Sequence, residues 1–239
     1  MTRHSILSAL LLAALMSVPA YAGPVRFAAE LAAIADRDRA NPVADGGVLF
    51  LGSSSIRLWK LSTGFPGAQT INHGFGGATV TDVLAHYDLL VGQLRPESIV
   101  VYVGENDLAQ GRPARDVARD VGTLLRRLRA DFPAARIAYL SIKVAPARLA
   151  HRRAIAQANA LIGAQAGDTH FDFIDAADEL RLPDEAPDTS YFGRDGLHLS
   201  ESGYARWNRI VRSYLARRDR PARDAGSGAA VAAVSAHKR

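Results

Sequence analysis

Ser54 is the first residue whose surroundings point to chemistry, because it follows an apolar run that ends in a glycine. Residues 48–51 are apolar, and Gly52 and three consecutive serines come next. This pattern is typical of a buried strand that ends in a tight turn, and parallel sheets bind ligands at the carboxyl ends of their strands. Ser54 is therefore the candidate nucleophile, with Ser53 and Ser55 as the alternatives that the serine run leaves open.

Asp195 and His198 form the second candidate element, since a serine nucleophile needs a base and a group that orients the base. They lie three positions apart, just before the last predicted helix. On a turn-like backbone the carboxylate can accept a hydrogen bond from one ring nitrogen while the other nitrogen faces Ser54. His198 is the candidate general base and Asp195 its orienter. A solvated loop pair and half of a metal site are the alternatives, although the seven histidines show no metal-ligand motif.

Gly77 and Asn106 are candidate donors to the oxyanion of a tetrahedral intermediate. Gly77 ends the glycine-rich segment 73–77 after the second predicted strand, and glycine lets a backbone N–H approach a ligand closely. Asn106 follows the third predicted strand and offers a side-chain amide, and the Ser54 backbone N–H is the third donor. The glycine-rich segment also fits an ordinary loop, and residues 104–107 also fit a turn in which Asn and Asp bond their own backbone. Their convergence at one edge of a parallel sheet favours the chemical interpretation.

The elements that must position these residues are five short apolar runs alternating with segments of helical period. This alternation predicts a parallel sheet covered by helices on both faces. Strands are predicted at 47–51, 69–72, 98–103, 136–142 and 171–174. A helix is predicted over 26–37, and further helices are predicted after a capping box at Thr79 and Asp82, after Pro113, around 155–162 and after the N-cap Ser200. Val83, Tyr87 and Leu90 continue the first of these at helical spacing.

Together these segments resemble the conserved blocks of the SGNH hydrolases, also called the GDSL esterase/lipase family. Residues 52–54, 72–77, 104–107 and 195–198 are similar to the four blocks, and the resemblance covers 47–215. It implies that Ser54, Asp195 and His198 form the catalytic triad, with Ser54, Gly77 and Asn106 as the oxyanion hole. It also implies a three-layer α/β/α flavodoxin-like sandwich with a five-stranded parallel sheet. The chain departs from the family pattern at Ser53, where aspartate is expected, and at Ser55, where an aliphatic residue is common.

The two ends of the chain differ from the region between them. A basic start, an apolar segment at 6–18 and a small-residue site at 20–22 have the order of an export signal. We therefore expect a signal peptide at 1–22, the hydrolase domain at 23–216 and a flexible basic tail at 217–239. The tail and Arg3 account for the formal charge of +5, so the domain is near neutral and nucleic acid is not an expected partner. The apolar segment is too short to span a bilayer comfortably, which predicts a periplasmic or secreted protein without stable membrane insertion.

The sequence as a whole predicts an exported serine esterase that hydrolyses carboxylic esters through an acyl-enzyme. Short acyl groups on a small molecule or a glycan are favoured, because no long apolar insertion is available as a lid. Two alternatives stay open: acyl transfer to an acceptor by the same triad, and an inactive glycan-binding protein on this scaffold. The absence of cysteine excludes disulfides, thiolate metal sites and cysteine nucleophiles. Neither a metal nor an organic cofactor is expected.

Overall fold

The computed structural model describes residues 26–40 and 45–217, and its centre is a parallel sheet of five strands. The strands are β1 (Val48–Gly52), β2 (Thr70–Gly74), β3 (Ser98–Tyr102), β4 (Arg136–Leu140) and β5 (Asp172–Ile174). They pair in the order β2-β1-β3-β4-β5, with helices on both faces. The predicted α/β sandwich is confirmed. The predicted signal peptide, and the predicted tail beyond its first residue, lie outside the described residues.

Helices fill the connections between these strands. They are α1 (Ala28–Ala40), α2 (Ser54–Arg57), α3 (Leu61–Gly64), α4 (Val80–Ala85), α5 (Tyr87–Val91), α6 (Glu105–Ala109), α7 (Ala114–Asp131), α8 (Arg152–Gly163), α9 (Ala166–Thr169) and α10 (Glu201–Ala216). Short 3₁₀ turns lie at Pro146–His151, Asp178–Leu180 and Thr189–Tyr191. Each crossover thus returns the chain to the amino end of the next strand, as parallel pairing requires.

The strand β1 shows how the sheet is buried on both faces. Leu49 and Leu51 pack into an apolar cluster with α1, α4, α5, α7 and α8, whereas Val48 and Phe50 pack into a second cluster with α2, α3 and α10. Successive side chains point to opposite faces, so both sets are apolar. Complete burial of a large apolar side chain stabilises the fold by about 1.5–3 kcal/mol. The rim that carries the site therefore rests on a rigid two-sided core.

The strand order reverses at β1, which lies between β2 and β3. Gly52 is in register with Gly74 of β2 and with Tyr102 of β3, so the three strands end at the same edge. A crevice outside the strand ends at such a reversal is where doubly wound sheets bind ligands. The connections that leave these three strands carry Ser54, Gly77 and Asn106.

Several predicted helix and strand ends are shifted by one to three residues in the structure, and two of the differences from the sequence-based expectations have a clear physical cause. The helix predicted after Thr79 does form its capping box, but it is divided into α4 and α5 at His86, whose φ of −107° and ψ of 15° are not helical. The strand predicted to reach Ile142 ends earlier, because the N–H and C=O of Ile142 bond the side chain of Asn159, each at 2.8 Å. A side-chain amide thus takes the place of a neighbouring strand.

Candidate active site

Ser54, His198 and Asp195 form a continuous hydrogen-bonded chain. The distance from His198 Nε2 to Ser54 Oγ is 2.9 Å, and the distance from His198 Nδ1 to Asp195 Oδ2 is 2.6 Å. An ionised carboxylate can only accept, so Nδ1 is a donor, and in the neutral imidazole Nε2 then accepts from the serine hydroxyl. The structure thus joins two segments 144 positions apart in the arrangement that a general base requires.

Asp195 is fixed by the backbone of its own loop. Its Oδ1 accepts the N–H groups of Leu197 and His198, both at 3.0 Å, and its Oδ2 faces the imidazole. The Leu197 N–H and the hydrogen bonds from His198 lower the pKa of Asp195 from 3.8 to about 2, against the opposing effect of desolvation. The carboxylate is therefore ionised at neutral and mildly acidic pH, where it can orient the imidazole.

Ser54 begins α2, directly after β1, and its two serine neighbours are both buried. Ser53 adopts an extended backbone, and its N–H donates to Tyr102 O at 3.1 Å. The hydroxyl of Ser55 lies 3.3 Å from the Nζ of Lys143. Within the described residues, only the hydroxyl of Ser54 meets the imidazole of His198, so the geometry favours Ser54 over the two alternatives.

Gly77 lies in the loop that follows β2 and has a φ of +72°, a backbone conformation that glycine adopts at no steric cost. The groups around it are held in place: Arg26 donates to Gly77 O at 3.0 Å, and Gly76 N–H donates to Glu30 Oε2 at 2.8 Å. In the part of the chain that the structure describes, the N–H groups of Gly77 and Ser54 donate to no protein acceptor. Both are therefore available to a ligand.

Asn106 lies in α6, on the other side of β1 from Gly77. Its Nδ2 donates to Ala78 O at 3.0 Å, which uses one of the two N–H groups of the amide. The adjacent Asp107 is buried and accepts from Val80 N–H at 3.1 Å and from Arg112 at 2.9 Å, while burial raises its pKa. Both side chains of this segment thus bond main-chain groups that follow Gly77. The segment is tied to the loop that carries Gly77.

Close packing also joins the Gly77 loop to the nucleophile. A Cβ at Gly74 would lie 2.2 Å from the backbone nitrogen of Arg57, so only glycine lets the end of β2 approach α2 this closely. The side chain of Asn72 donates to Ile56 O at 2.8 Å and accepts from Gly74 N–H at 3.0 Å. Two of the three candidate oxyanion donors are thus held in one packed unit.

Sequence reasoning missed several residues that position this site. Glu30, Lys143 and Glu105 make contacts that no local pattern indicates, because their partners are distant in the chain. Asn72 offered a weak signal, since it ends a predicted strand just before a glycine-rich loop.

Over residues 26–40 and 45–217, no group of three His, Cys, Asp or Glu side chains is placed to hold a metal ion. No described helix combines the length and the apolar character needed to cross a bilayer.

Comparison with known proteins gives the same fold from independent sequences. A Streptococcus pneumonia protein provisionally named a platelet activating factor is 21% identical with a TM-score of 0.70, covering 78% of this chain and 92% of its own. A GDSL-like lipase from Bacteroides thetaiotaomicron is 20% identical with a TM-score of 0.63, covering 80% and 96%. A catalytic mutant of an acetylxylan esterase from Geobacillus stearothermophilus is 16% identical with a TM-score of 0.57, covering 72% and 94%. No curated protein sequence matched significantly.

The family itself is identified by a direct sequence match. Residues 55–206 match the GDSL-like Lipase/Acylhydrolase family, and this region includes the strands β2 to β5, the loop of Gly77, Asn106 and the Asp195–His198 pair. The predicted family resemblance is confirmed. The match spans well over half of the chain, and the chain belongs to the GDSL-like lipase/acylhydrolase family of hydrolases.

Proposed function

We propose that this protein is a serine esterase that cleaves carboxylic esters through an acyl-enzyme formed on Ser54. Family membership supports hydrolysis of acyl compounds. The observation that carries the serine mechanism is the unbroken contact chain from Ser54 Oγ through His198 to Asp195, with steps of 2.9 and 2.6 Å. A hydroxyl that already bonds the acceptor nitrogen of an imidazole needs little movement to lose its proton.

In the acylation step, Ser54 Oγ attacks the ester carbonyl carbon while its proton moves to His198 Nε2. The carbonyl π electrons move to the oxygen, and the resulting oxyanion accepts hydrogen bonds from the N–H groups of Ser54 and Gly77 and from the Asn106 amide. When the carbonyl re-forms, the bond to the alcohol oxygen breaks and the alkoxide takes the proton from Nε2. Asp195 stays ionised throughout and stabilises the transient imidazolium.

In the deacylation step, water attacks the acyl-enzyme carbonyl and gives a proton to His198 Nε2. The second tetrahedral intermediate uses the same three oxyanion donors. Its collapse breaks the bond to Ser54 Oγ, which takes the proton back from Nε2, and the carboxylic acid leaves. The cycle needs only the side chains and main-chain groups already described, and it restores the starting tautomer of His198.

The substrate is proposed to be a short-chain ester of a small molecule or a glycan. The connections around the strand ends are short helices and turns rather than a long apolar insertion, which favours a small acyl group over a lipid chain. The acetylxylan esterase that shares this fold makes acetylated xylan a reasonable member of a substrate panel.

The proposal is tested by comparing wild type with Ser54→Ala on p-nitrophenyl esters of increasing chain length and on acetylated xylan. Loss of Ser54 should lower kcat by about a millionfold, by analogy with other triad deletions. Ser213→Ala is the matched control, because Ser213 is exposed near the end of α10, and it should retain wild-type turnover. Substantial ester cleavage by Ser54→Ala would rule out this nucleophile.

Export is proposed from the order of basic, apolar and small residues in 1–22, which lie outside the described residues. Expression of the full chain in a bacterial host with two membranes, followed by fractionation and amino-terminal sequencing, tests it. The expected product begins at Gly23 and is found in the periplasm or the medium. A cytoplasmic product that retains Met1 would contradict export.

A further inference from the structure

Lys143 is a fully buried cation close to the nucleophile, and the catalytic steps above do not use it. It lies just beyond β4 and has 0% exposure. A buried ammonium is costly unless its charge is balanced and its three N–H groups are bonded. Its Nζ lies 2.6 Å from Glu105 Oε2, 3.2 Å from the Tyr102 hydroxyl and 3.3 Å from Ser55 Oγ. The ammonium therefore has three acceptors and no place for a further ligand.

Two of these acceptors are chain neighbours of catalytic groups. Ser55 follows the candidate nucleophile Ser54, and Glu105 precedes the candidate oxyanion donor Asn106. Ser54 and Asn106 leave different strands, β1 and β3, and Lys143 leaves a third strand, β4. One ammonium group thus connects the segment that presents the nucleophile to the segment that presents the oxyanion donor.

The acceptors are themselves rigidly held. The Tyr102 hydroxyl donates to Glu105 Oε2 at 2.8 Å, and burial and the Glu105 charge raise the pKa of Tyr102, so the phenol keeps its proton. The other carboxylate oxygen of Glu105 is buried without a hydrogen-bond partner among the described residues. The carbonyl of Ser55 accepts from the Tyr204 hydroxyl at 2.9 Å. Ser55 is therefore fixed through both its side chain and its main chain.

Stability alone is a weak explanation for this pair. Desolvation of two charges can cost as much as their attraction returns, and well-packed neutral residues of similar volume often stabilise a fold equally well. A neutral replacement would not reproduce the contact of one ammonium group with three acceptors. This contact sets the relative positions of three strand ends. An enzyme gains from such a contact because small displacements of reacting groups lower the rate steeply.

We propose that Lys143 is a positioning residue, which acts through Ser55 and Glu105 to hold the Ser54 nucleophile and the Asn106 donor at their mutual distance. This inference rests on the proposed serine esterase function. Lys143 touches neither substrate nor reacting atoms. It affects only the positions from which Ser54 attacks the substrate and Asn106 donates to the oxyanion.

The test separates the geometry of the site from the stability of the fold. Lys143→Met leaves the Glu105 charge buried and unpaired, so its urea midpoint should fall markedly. The double variant Lys143→Met with Glu105→Gln removes both charges and should recover most of that midpoint. Its kcat for p-nitrophenyl acetate should nevertheless stay about 10- to 100-fold below wild type, with KM changed by less than about threefold because substrate contacts are intact.

Tyr214→Phe is the matched control, because it removes a buried tyrosine hydroxyl bonded to Asp172 at 2.9 Å, at the amino edge of the sheet. It should lower the midpoint without changing kcat. A double variant with recovered stability and wild-type kcat would overturn the proposal.

If the double variant does not fold, Ser55→Ala provides the test, because it keeps the ion pair. Its kcat should fall several-fold with a near-wild-type midpoint, whereas unchanged kcat would overturn the proposal.

The outcome also distinguishes this inference from the proposed function. If wild type cleaves no ester and Ser54 reacts with no fluorophosphonate, the serine esterase assignment fails. If wild type cleaves the ester in a Ser54-dependent manner but the variants of Lys143 and Ser55 have wild-type kcat, only the positioning role fails.

Discussion

Two pairs of oppositely charged or proton-exchanging side chains contact neighbouring serines, and they differ in their access to solvent. His198 and Asp195 lie at Ser54, whereas Lys143 and Glu105 lie at Ser55. The contacts are both 2.6 Å, but the Lys143 and Glu105 side chains are 0% and 6% exposed whereas those of His198 and Asp195 are 26% and 50% exposed. The exposed pair can exchange a proton with substrate and water, as a general base must. The buried pair cannot, and it is suited to holding positions. Equal distances therefore serve opposite purposes.

The same difference separates activity from stability. Removing one partner of a buried ion pair typically costs about 3–5 kcal/mol of folding free energy, because a charge is left without compensation. Breaking an exposed pair typically costs about 0–1 kcal/mol. Substitutions in the exposed pair should therefore lower activity with little loss of stability, whereas breaking the buried pair should also lower the folding free energy.

The largest expected effect comes from the exposed pair. His198→Ala should lower kcat by about a millionfold, by analogy with loss of the base in other triads, while its urea midpoint stays close to wild type. His170→Asn is the control, because His170 is exposed with a φ of +54° that asparagine tolerates. Steady-state kinetics and urea unfolding measure both properties. A loss of less than tenfold in His198→Ala would remove the general-base role.

The next effect concerns the oxyanion donors on either side of β1. Asn106→Ala should lower kcat by about 100- to 1000-fold, the usual result of removing one donor. Turnover of p-nitrophenyl acetate measures the loss, and circular dichroism checks the fold, because the amide also bonds Ala78. An unchanged rate would show that Asn106 only links α6 to the Gly77 loop.

The pH profile sharpens the contrast between the two members of the exposed pair. Asp195, with its pKa lowered to about 2, keeps its charge well below neutral pH, and its interactions are lost only as pH falls toward that value. A general base acts only when it is unprotonated, so kcat/KM should fall on the acid side of the profile by about tenfold per pH unit, the slope of a single protonation. A profile without an acid limb, or an acid limb with twice that slope, would contradict this assignment.

The smallest effect is expected at the edge of the oxyanion loop. Glu30 accepts from Gly76 N–H and lies 3.4 Å from Arg57 Nε, so Glu30→Gln keeps an acceptor but loses the charge. We expect kcat to fall by about two- to tenfold. Glu179→Gln is the control, because Glu179 is similarly exposed and pairs with Arg209. Equal kcat values in the two variants would show that the charge of Glu30 does not help to position Gly77.

The five candidate site residues could be found from the sequence because each has a local signal. Ser54 and Asn106 come soon after apolar runs, Gly77 ends a glycine-rich segment, and Asp195 and His198 precede a capped helix. Parallel pairing then brings strand ends to one edge. Strand ends were less predictable, as at Ile142, because a side-chain amide replaced the strand partner.

The positioning residues could not be found in this way. Lys143 is 88 positions from Ser55 and 38 from Glu105, and lysine in a sequence ordinarily indicates an exposed side chain. Glu30 is 46 positions from Gly76. Contacts of this kind depend on how whole elements pack, which no short pattern records.

The most direct measurement is covalent trapping of the nucleophile. The full chain is treated with a fluorophosphonate, digested and examined by tandem mass spectrometry that distinguishes the three adjacent serines. The account predicts a single phosphonyl label on Ser54, with loss of esterase activity in proportion to labelling and no label in Ser54→Ala. A label on Ser53 or Ser55, or an active enzyme that takes up no label, would contradict it.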